Sequence, residues 1–227
     1  MKNTTIAFAA GAASLMFIGS AAAATISVSN SAPTVDGADI AMLITTGSFD
    51  IGGNEGHIWT NRPAQGQTFL TGSNAAGYTL NAVTLQSRQS NNHSGTFPVR
   101  LGTISGTSFT EVSSEAFDKV AYSGNDYLTA TFTTPITLTA NTLYGFDWGS
   151  AVDGGFITNN NVDTGYTGGS AYSSGTGTGL GDATITLRNA DRVFHVALTA
   201  IPVAVPEPST TALLGLGGLA LAFRRRK

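Results

Sequence analysis

The strongest constraint on this chain is a two-residue rhythm running through residues 25–204. Phe97, Val99, Leu101 and Thr103 alternate with Pro98, Arg100 and Gly102, and Leu128, Ala130 and Phe132 alternate with Thr129 and Thr131. Tyr144, Phe146 and Trp148 repeat the pattern, as do Phe194, Val196 and Leu198. Successive side chains of a strand point to opposite faces, so this spacing predicts strands with one buried face, and it assigns Trp148 to the core. Residues 26–29, 40–45, 67–70, 78–87, 108–112, 155–158 and 183–188 are further strand candidates, rich in the threonine and aromatic residues that suit a pleated, half-buried surface.

Turn residues punctuate these runs: Gly52-Gly53-Asn54, Asn91 to Gly95, Ser123-Gly124-Asn125-Asp126 and Ala140-Asn141. Many short strands between such turns predict an all-β fold, a single jelly-roll-like β-sandwich. No repeat period and no linker divides the region, so residues 25–204 read as one domain. Residues 166–181, dominated by Gly, Ser and Thr, read as a long surface loop or a poorly specified edge.

Composition narrows the chemistry. The chain has no cysteine and only 11% charged residues, which excludes a disulfide scaffold, a thiolate metal site, a cysteine nucleophile and a highly charged disordered chain. Between residues 25 and 206, six basic residues stand against thirteen acidic ones, a net charge of −7. Phosphate-backbone binders need clustered Lys and Arg, so nucleic acid is not an expected partner.

The ends read as addresses. Lys2 precedes an apolar run and then the small residues Ala21 to Ala24, the pattern of a secretory signal peptide over residues 1–24, cut between Ala24 and Thr25. At the other end, Val205-Pro206-Glu207-Pro208 is held extended, because each proline fixes its own φ and restricts the residue before it. An apolar stretch follows, closed by Arg224, Arg225, Arg226 and Lys227. The helix available from Ser209 to Phe223 would be about 22 Å long, short of a ~30 Å hydrocarbon core. By the positive-inside rule the four cations stay cytoplasmic while the Pro-Glu-Pro segment and everything before it lie across the membrane.

Taken together, Val205-Pro206-Glu207-Pro208-Ser209, the apolar run with its Leu-Gly-Leu-Gly-Gly-Leu core and the Arg-Arg-Arg-Lys end resemble a PEP-CTERM sorting signal, a tail also labelled an ice-binding-protein C-terminal domain. The resemblance covers residues 205–227. It implies an exported protein of a Gram-negative-type bacterium, recognised at Pro206, Glu207 and Pro208 by a membrane-embedded exosortase. It implies nothing about the fold upstream.

No catalytic constellation emerges from the central segment. It has no G-x-S-x-G elbow and no H-E-x-x-H pair, and His57, His93 and His195 sit in a Gly-rich loop, a turn and the outer face of a strand. Glu111 and Glu115 would lie ~13 Å apart along a strand, too far for the paired carboxylates of a glycosidase. Two oxygen-rich stretches, Asp36 with Asp39 and Asp153 with Asn159, Asn160, Asn161 and Asp163, match no calcium-loop order, and turn chemistry accounts for them better; no cofactor is expected, with calcium the lesser alternative. Trp59, Tyr166 and Tyr172 lie in polar surroundings where exposed rings could stack on sugars.

The expected protein is therefore non-enzymatic: a cell-envelope or extracellular-matrix component, structural or glycan-adhesive, with the sorting enzyme, the membrane and exopolysaccharide as partners. A secreted polysaccharide-active enzyme is the alternative. An ice-binding protein is a third, weakened by the lack of regular T-x-T repeats.

Overall fold

The computed structural model describes residues 24–43, 56–58, 63–88, 90, 95–149, 156–158, 160–161, 166–175 and 183–204; for 56–58, 156–158 and 160–161 it describes the backbone pairing. The expected signal peptide up to residue 23 and the expected tail helix within 205–227 lie outside these residues. Every named strand pair is antiparallel, and no helix occurs among the described residues.

One layer holds five strands: β1 (Thr25–Ser29), β2 (Ile40–Met42), β5 (Tyr78–Gln86), β8 (Tyr127–Leu138) and β15 (Phe194–Ala200), in the order β1-β8-β5-β15-β2. The other holds six: β4 (Ala64–Leu70), β6 (Thr96–Ser105), β7 (Ser108–Asp118), β9 (Leu143–Trp148), β12 (Ala171–Ser174) and β13 (Ile185–Leu187), in the order β13-β12-β4-β9-β6-β7. Two ribbons complete the set: β3 (Gly56–Ile58) with β10 (Phe156–Thr158), and β11 (Asn160–Asn161) with β14 (Asp191–Arg192). Without the flanking strands β1, β12 and β13, the sheets read β2-β15-β5-β8 and β4-β9-β6-β7. That is the arrangement of a jelly roll, the chain passing repeatedly between its two layers.

The predicted rhythm produces the core. Phe97, Val99 and Leu101 of β6 join Phe146 and Trp148 of β9 and Phe69 of β4, and they face Leu80, Val83 and Leu85 of β5, Leu128 and Phe132 of β8, and Phe194, Val196 and Leu198 of β15. Each such side chain contributes roughly 1.5–3 kcal/mol by leaving water. Trp148 is in the core as expected, 1% exposed and stacked on Phe97 at 5.1 Å between ring centroids. Asn125 and Asn141, in two predicted turns, adopt left-handed φ of 72° and 50°, a conformation asparagine tolerates better than most residues.

Within the stretch expected to be a surface loop or a poorly specified edge, residues 166–175 are described and depart from that expectation. They contain β12, which lies between β13 and β4 and is buried at all four positions. Its alternation escapes a hydrophobic reading because Tyr172 is its one large side chain, flanked by Ala171, Ser173 and Ser174.

β12 and β13 also bend the six-stranded layer round on itself. Ser108 of β7 bridges Thr184, the Phe109 N–H donates to the Ala183 carbonyl at 2.8 Å, and the Ile185 N–H donates to the Thr107 carbonyl at 2.9 Å. The two ends of the strand order therefore meet at one point and enclose a second core on the far face of the sheet, formed by Ile104, Phe109, Tyr172 and Ile185 with Leu143. Beyond that point β7 continues as an outer strand carrying Glu111, Glu115 and Asp118. The Glu115 carboxylate accepts from both the N–H and the hydroxyl of Thr133 on β8, tying the two layers together along this side.

Candidate functional site

Four places among the described residues bring polar groups together in an organised way: the far face of the curled sheet, the contact of β14 with β4, the surroundings of Asp39, and the point where the chain leaves the sandwich.

The register of β6 on β9 sets Arg100 opposite Asp147 and Gly102 opposite Gly145, while β4 places Gly66 beside Asp147 on its other side. These positions alternate with core residues, so their side chains point to the far face. The three glycines make room there. A Cβ on Gly66 would lie 2.5 Å from Tyr172 Cζ, one on Gly102 2.6 Å from Phe109 Cε1, and one on Gly145 3.0 Å from Tyr172 Cε1. The rings of Tyr172 and Phe109 thus lie over bare backbone from opposite flanks, their centroids 6.4 Å apart.

Beneath them Asp147 is fully buried and accepts four hydrogen bonds: Arg100 Nε at 2.9 Å, Arg100 Nη2 at 2.6 Å, Ser174 Oγ at 3.0 Å and Tyr172 OH at 3.3 Å. Arg100 also lies 4.5 Å from the Phe109 ring centroid and 3.7 Å from the exposed carboxylate of Glu111. Burial opposes the Arg100 charge, but the hydrogen bonds and charge of Asp147 outweigh it and hold the guanidinium above its usual range. Burial first, with Asp147 beside it, pushes the Tyr172 phenol well above the ordinary tyrosine value. Three of these bonds fall on Oδ2 and one on Oδ1, so the carboxylate clamps β6, β9 and β12 together beneath the aromatic roof.

A second buried network holds β14 against β4. Arg192 donates from its backbone to Gln67 Oε1 at 2.8 Å and from Nη2 to Gln65 Oε1 at 2.5 Å, and Gln67 Nε2 donates to Asp191 Oδ1 at 2.9 Å. Burial, with Arg188 nearby, pushes the Arg192 guanidinium down to about 9. Burial likewise raises Asp191, against the bonds from Gln67 and from the Tyr166 N–H.

The expected sugar-stacking residues fare differently. Tyr172 is 0% exposed, so neither face of its ring is open to a ligand; its polar surroundings are the inside of the second core. Tyr166 packs edge-on against Phe194 at 5.4 Å, and its hydroxyl accepts the Leu70 N–H at 3.1 Å. Trp59 lies outside the described residues, as do Asp153, Asn159 and Asp163; Asn160 and Asn161 form backbone pairs with Arg192 and Asp191. Asp39 of the other oxygen-rich stretch is engaged as a clasp: Oδ1 accepts the Leu198 N–H at 2.7 Å, and Oδ2 accepts the Asp36 N–H at 2.9 Å and lies 2.9 Å from His195 Nε2. His195 occupies the outer face of β15 as expected, and His57 lies in β3 rather than in a loop.

The chain leaves the sandwich at a rim built from two turns and the end of β15. Asn74 pins the exit: its Nδ2 donates to the Gly77 carbonyl at 2.6 Å and to the Ile201 carbonyl at 2.8 Å, while the Ile201 N–H donates to the Gly77 carbonyl at 3.1 Å. Thr71 Oγ1 locks the neighbouring turn, donating to the Thr139 carbonyl at 2.7 Å and accepting the Thr142 N–H at 2.9 Å. Past Ile201, residues 202–204 are exposed, Val203 at 56%. Nothing in the sequence flags Asn74 as the pin, because its second partner is 127 positions away.

The fold defines a jelly-roll module whose described chain ends in exposed residues just past Ile201. A family model, the PEP-CTERM protein-sorting motif, matches residues 204–227. The chain thus carries the sorting motif of an exported protein handled at the cell envelope by exosortase-type machinery. No curated protein and no solved structure matches the chain.

Proposed function

We propose that the jelly roll is the cargo of this sorting signal: a non-catalytic envelope or matrix component that serves as a structural or glycan-adhesive module once the tail has been processed. The observation that carries this reading is the placement of the matched motif, which starts three residues beyond Ile201, the last residue tied to the fold. The tail can therefore be gripped and cut without unfolding the module. The engagement of Asp147 supports a non-catalytic role, since this buried acid holds Arg100, Ser174 and Tyr172. In this reading the expected signal peptide ends where β1 begins, at Thr25, and calcium is not required for the fold.

The test is the intact mass of the exported species, followed by co-sedimentation of that species with the producing organism's exopolysaccharide. A mass short of both the first 24 residues and the tail, with saturable co-sedimentation, supports the reading. Retention of the tail overturns the sorting role, and co-sedimentation no greater than that of an unrelated jelly roll removes the adhesive role and leaves the structural one.

A further inference from the structure

The rim from which the tail departs has a distinctive surface. Residues 71–77, 139–142 and 199–204 contain no charged side chain; they are Gly, Ser, Thr, Ala, Asn, Ile, Pro and Val. Elsewhere the fold does carry charge close to its turns, as at Arg88, Lys119 and Asp126. The rim is also rigid, because the two turns and the exit residue are bonded to one another through Thr71, Asn74 and Gly77. Ser73 and Ala75 stand exposed at its crest.

Geometry makes this surface unavoidable for whatever grips the tail. Ile201 is fixed at both its N–H and its carbonyl, and Pro206 lies five residues further on. Fully extended, that tether reaches about 18 Å. A folded domain of about 100 residues has a radius of gyration near 13 Å, so its width exceeds the tether. An enzyme holding Pro206, Glu207 and Pro208 in its active site therefore brings its own rim against the rim of the jelly roll.

We propose that this neutral pole is a docking surface for the sorting enzyme, seated against it while the motif is engaged; the inference rests on the sorting reading above. The contact is one of shape and uncharged polar groups. A new charge of either sign placed there must be desolvated without a partner and slows engagement.

The experiment uses the full chain in a host with the sorting system, following tail removal by pulse-labelling and mass. One variant carries Ser73→Glu with Ala75→Glu, another Ser73→Lys with Ala75→Lys. Each is made with and without a flexible Gly-Ser insert of about 15 residues between Val203 and Ala204, which adds roughly 20 Å of reach. Both charged pairs are expected to slow tail removal by about tenfold, and the insert to restore the rate, because a longer tether lets the enzyme grip the motif away from the pole. Wild-type rates in both charged variants overturn the proposal. So does a defect that persists with the insert, which would place the fault in folding. A Glu pair that slows removal while the Lys pair speeds it also overturns the proposal and identifies the anionic lipid surface as what the pole meets. Unchanged tail removal after Pro206, Glu207 and Pro208 are all replaced by alanine would instead remove the sorting reading itself.

Discussion

Arg100 and Asp147 face each other across the β6–β9 ladder and form a two-pronged ion pair, Nε to Oδ1 at 2.9 Å and Nη2 to Oδ2 at 2.6 Å, on the side of the sheet away from the main core. The side chain of Asp147 is 0% exposed and that of Arg100 11%. Such a pair stabilises little relative to apolar residues of the same volume, yet losing one partner leaves the other charge stranded.

Asp147→Asn is expected to lower the unfolding free energy by about 3–5 kcal/mol, read as a fall in the urea midpoint with an unchanged slope. Arg100→Met with Asp147→Leu is expected to recover most of that loss. A single substitution costing under about 1 kcal/mol would mean that the pair is solvated rather than enclosed.

Gly66→Ala tests the aromatic roof. The added methyl has no room between the Phe146 carbonyl and the Tyr172 ring, so a loss of about 2–3 kcal/mol is expected from strain in the packed interior. Gly37→Ala is the matched control: a Cβ there meets nothing within 4 Å, and the expected change is close to zero or slightly stabilising. Equal effects at the two positions would show that the interior yields.

The Asp39 clasp gives the fold an acid limit. Burial alone would raise its pKa, but the Asp36 and Leu198 N–H groups and His195 outweigh this and hold it below the ordinary value of 3.8. A carboxylate with a depressed folded pKa contributes stability that is fully present above its unfolded pKa and is lost as pH falls through the lower, folded value. Urea midpoints are therefore expected to decline below about pH 4, and Asp39→Asn to start lower and lose less over that range. Parallel pH profiles for the two proteins would sink this assignment.

For sorting, replacement of Pro206, Glu207 and Pro208 by alanine is expected to leave the exported chain at its unprocessed mass, while Asn74→Ala loosens the exit and leaves processing intact. Intact mass spectrometry reads both outcomes.

The main core was legible in the sequence because the jelly roll buries one face of each long strand, and the two-residue rhythm of Phe97 to Thr103 or Phe194 to Leu198 survives intact. The second core was not. Arg100 and Asp147 each sit between large apolar neighbours, so alternation correctly turns them away from the main core. It then assigns them to solvent, since it has no knowledge of a further layer. What covers them is β12, whose small residues carry no hydrophobic signal, held by contacts between Thr107 to Phe109 and Ala183 to Ile185. The same blindness misplaced Tyr172, whose polar neighbours along the chain are buried with it. The tail was legible because its meaning lies in linear order and needs no fold.

The outer strand β7 carries a last consequence. Glu111, Glu115 and Asp118 fall within eight residues of a strand that, among the described residues, pairs beyond Phe109 with β6 alone. A second copy approaching side by side would set a matching acidic row against it, and like charges facing across a ladder oppose pairing. The open edge of the curled sheet is thus guarded by its own carboxylates against edge-to-edge growth into fibres.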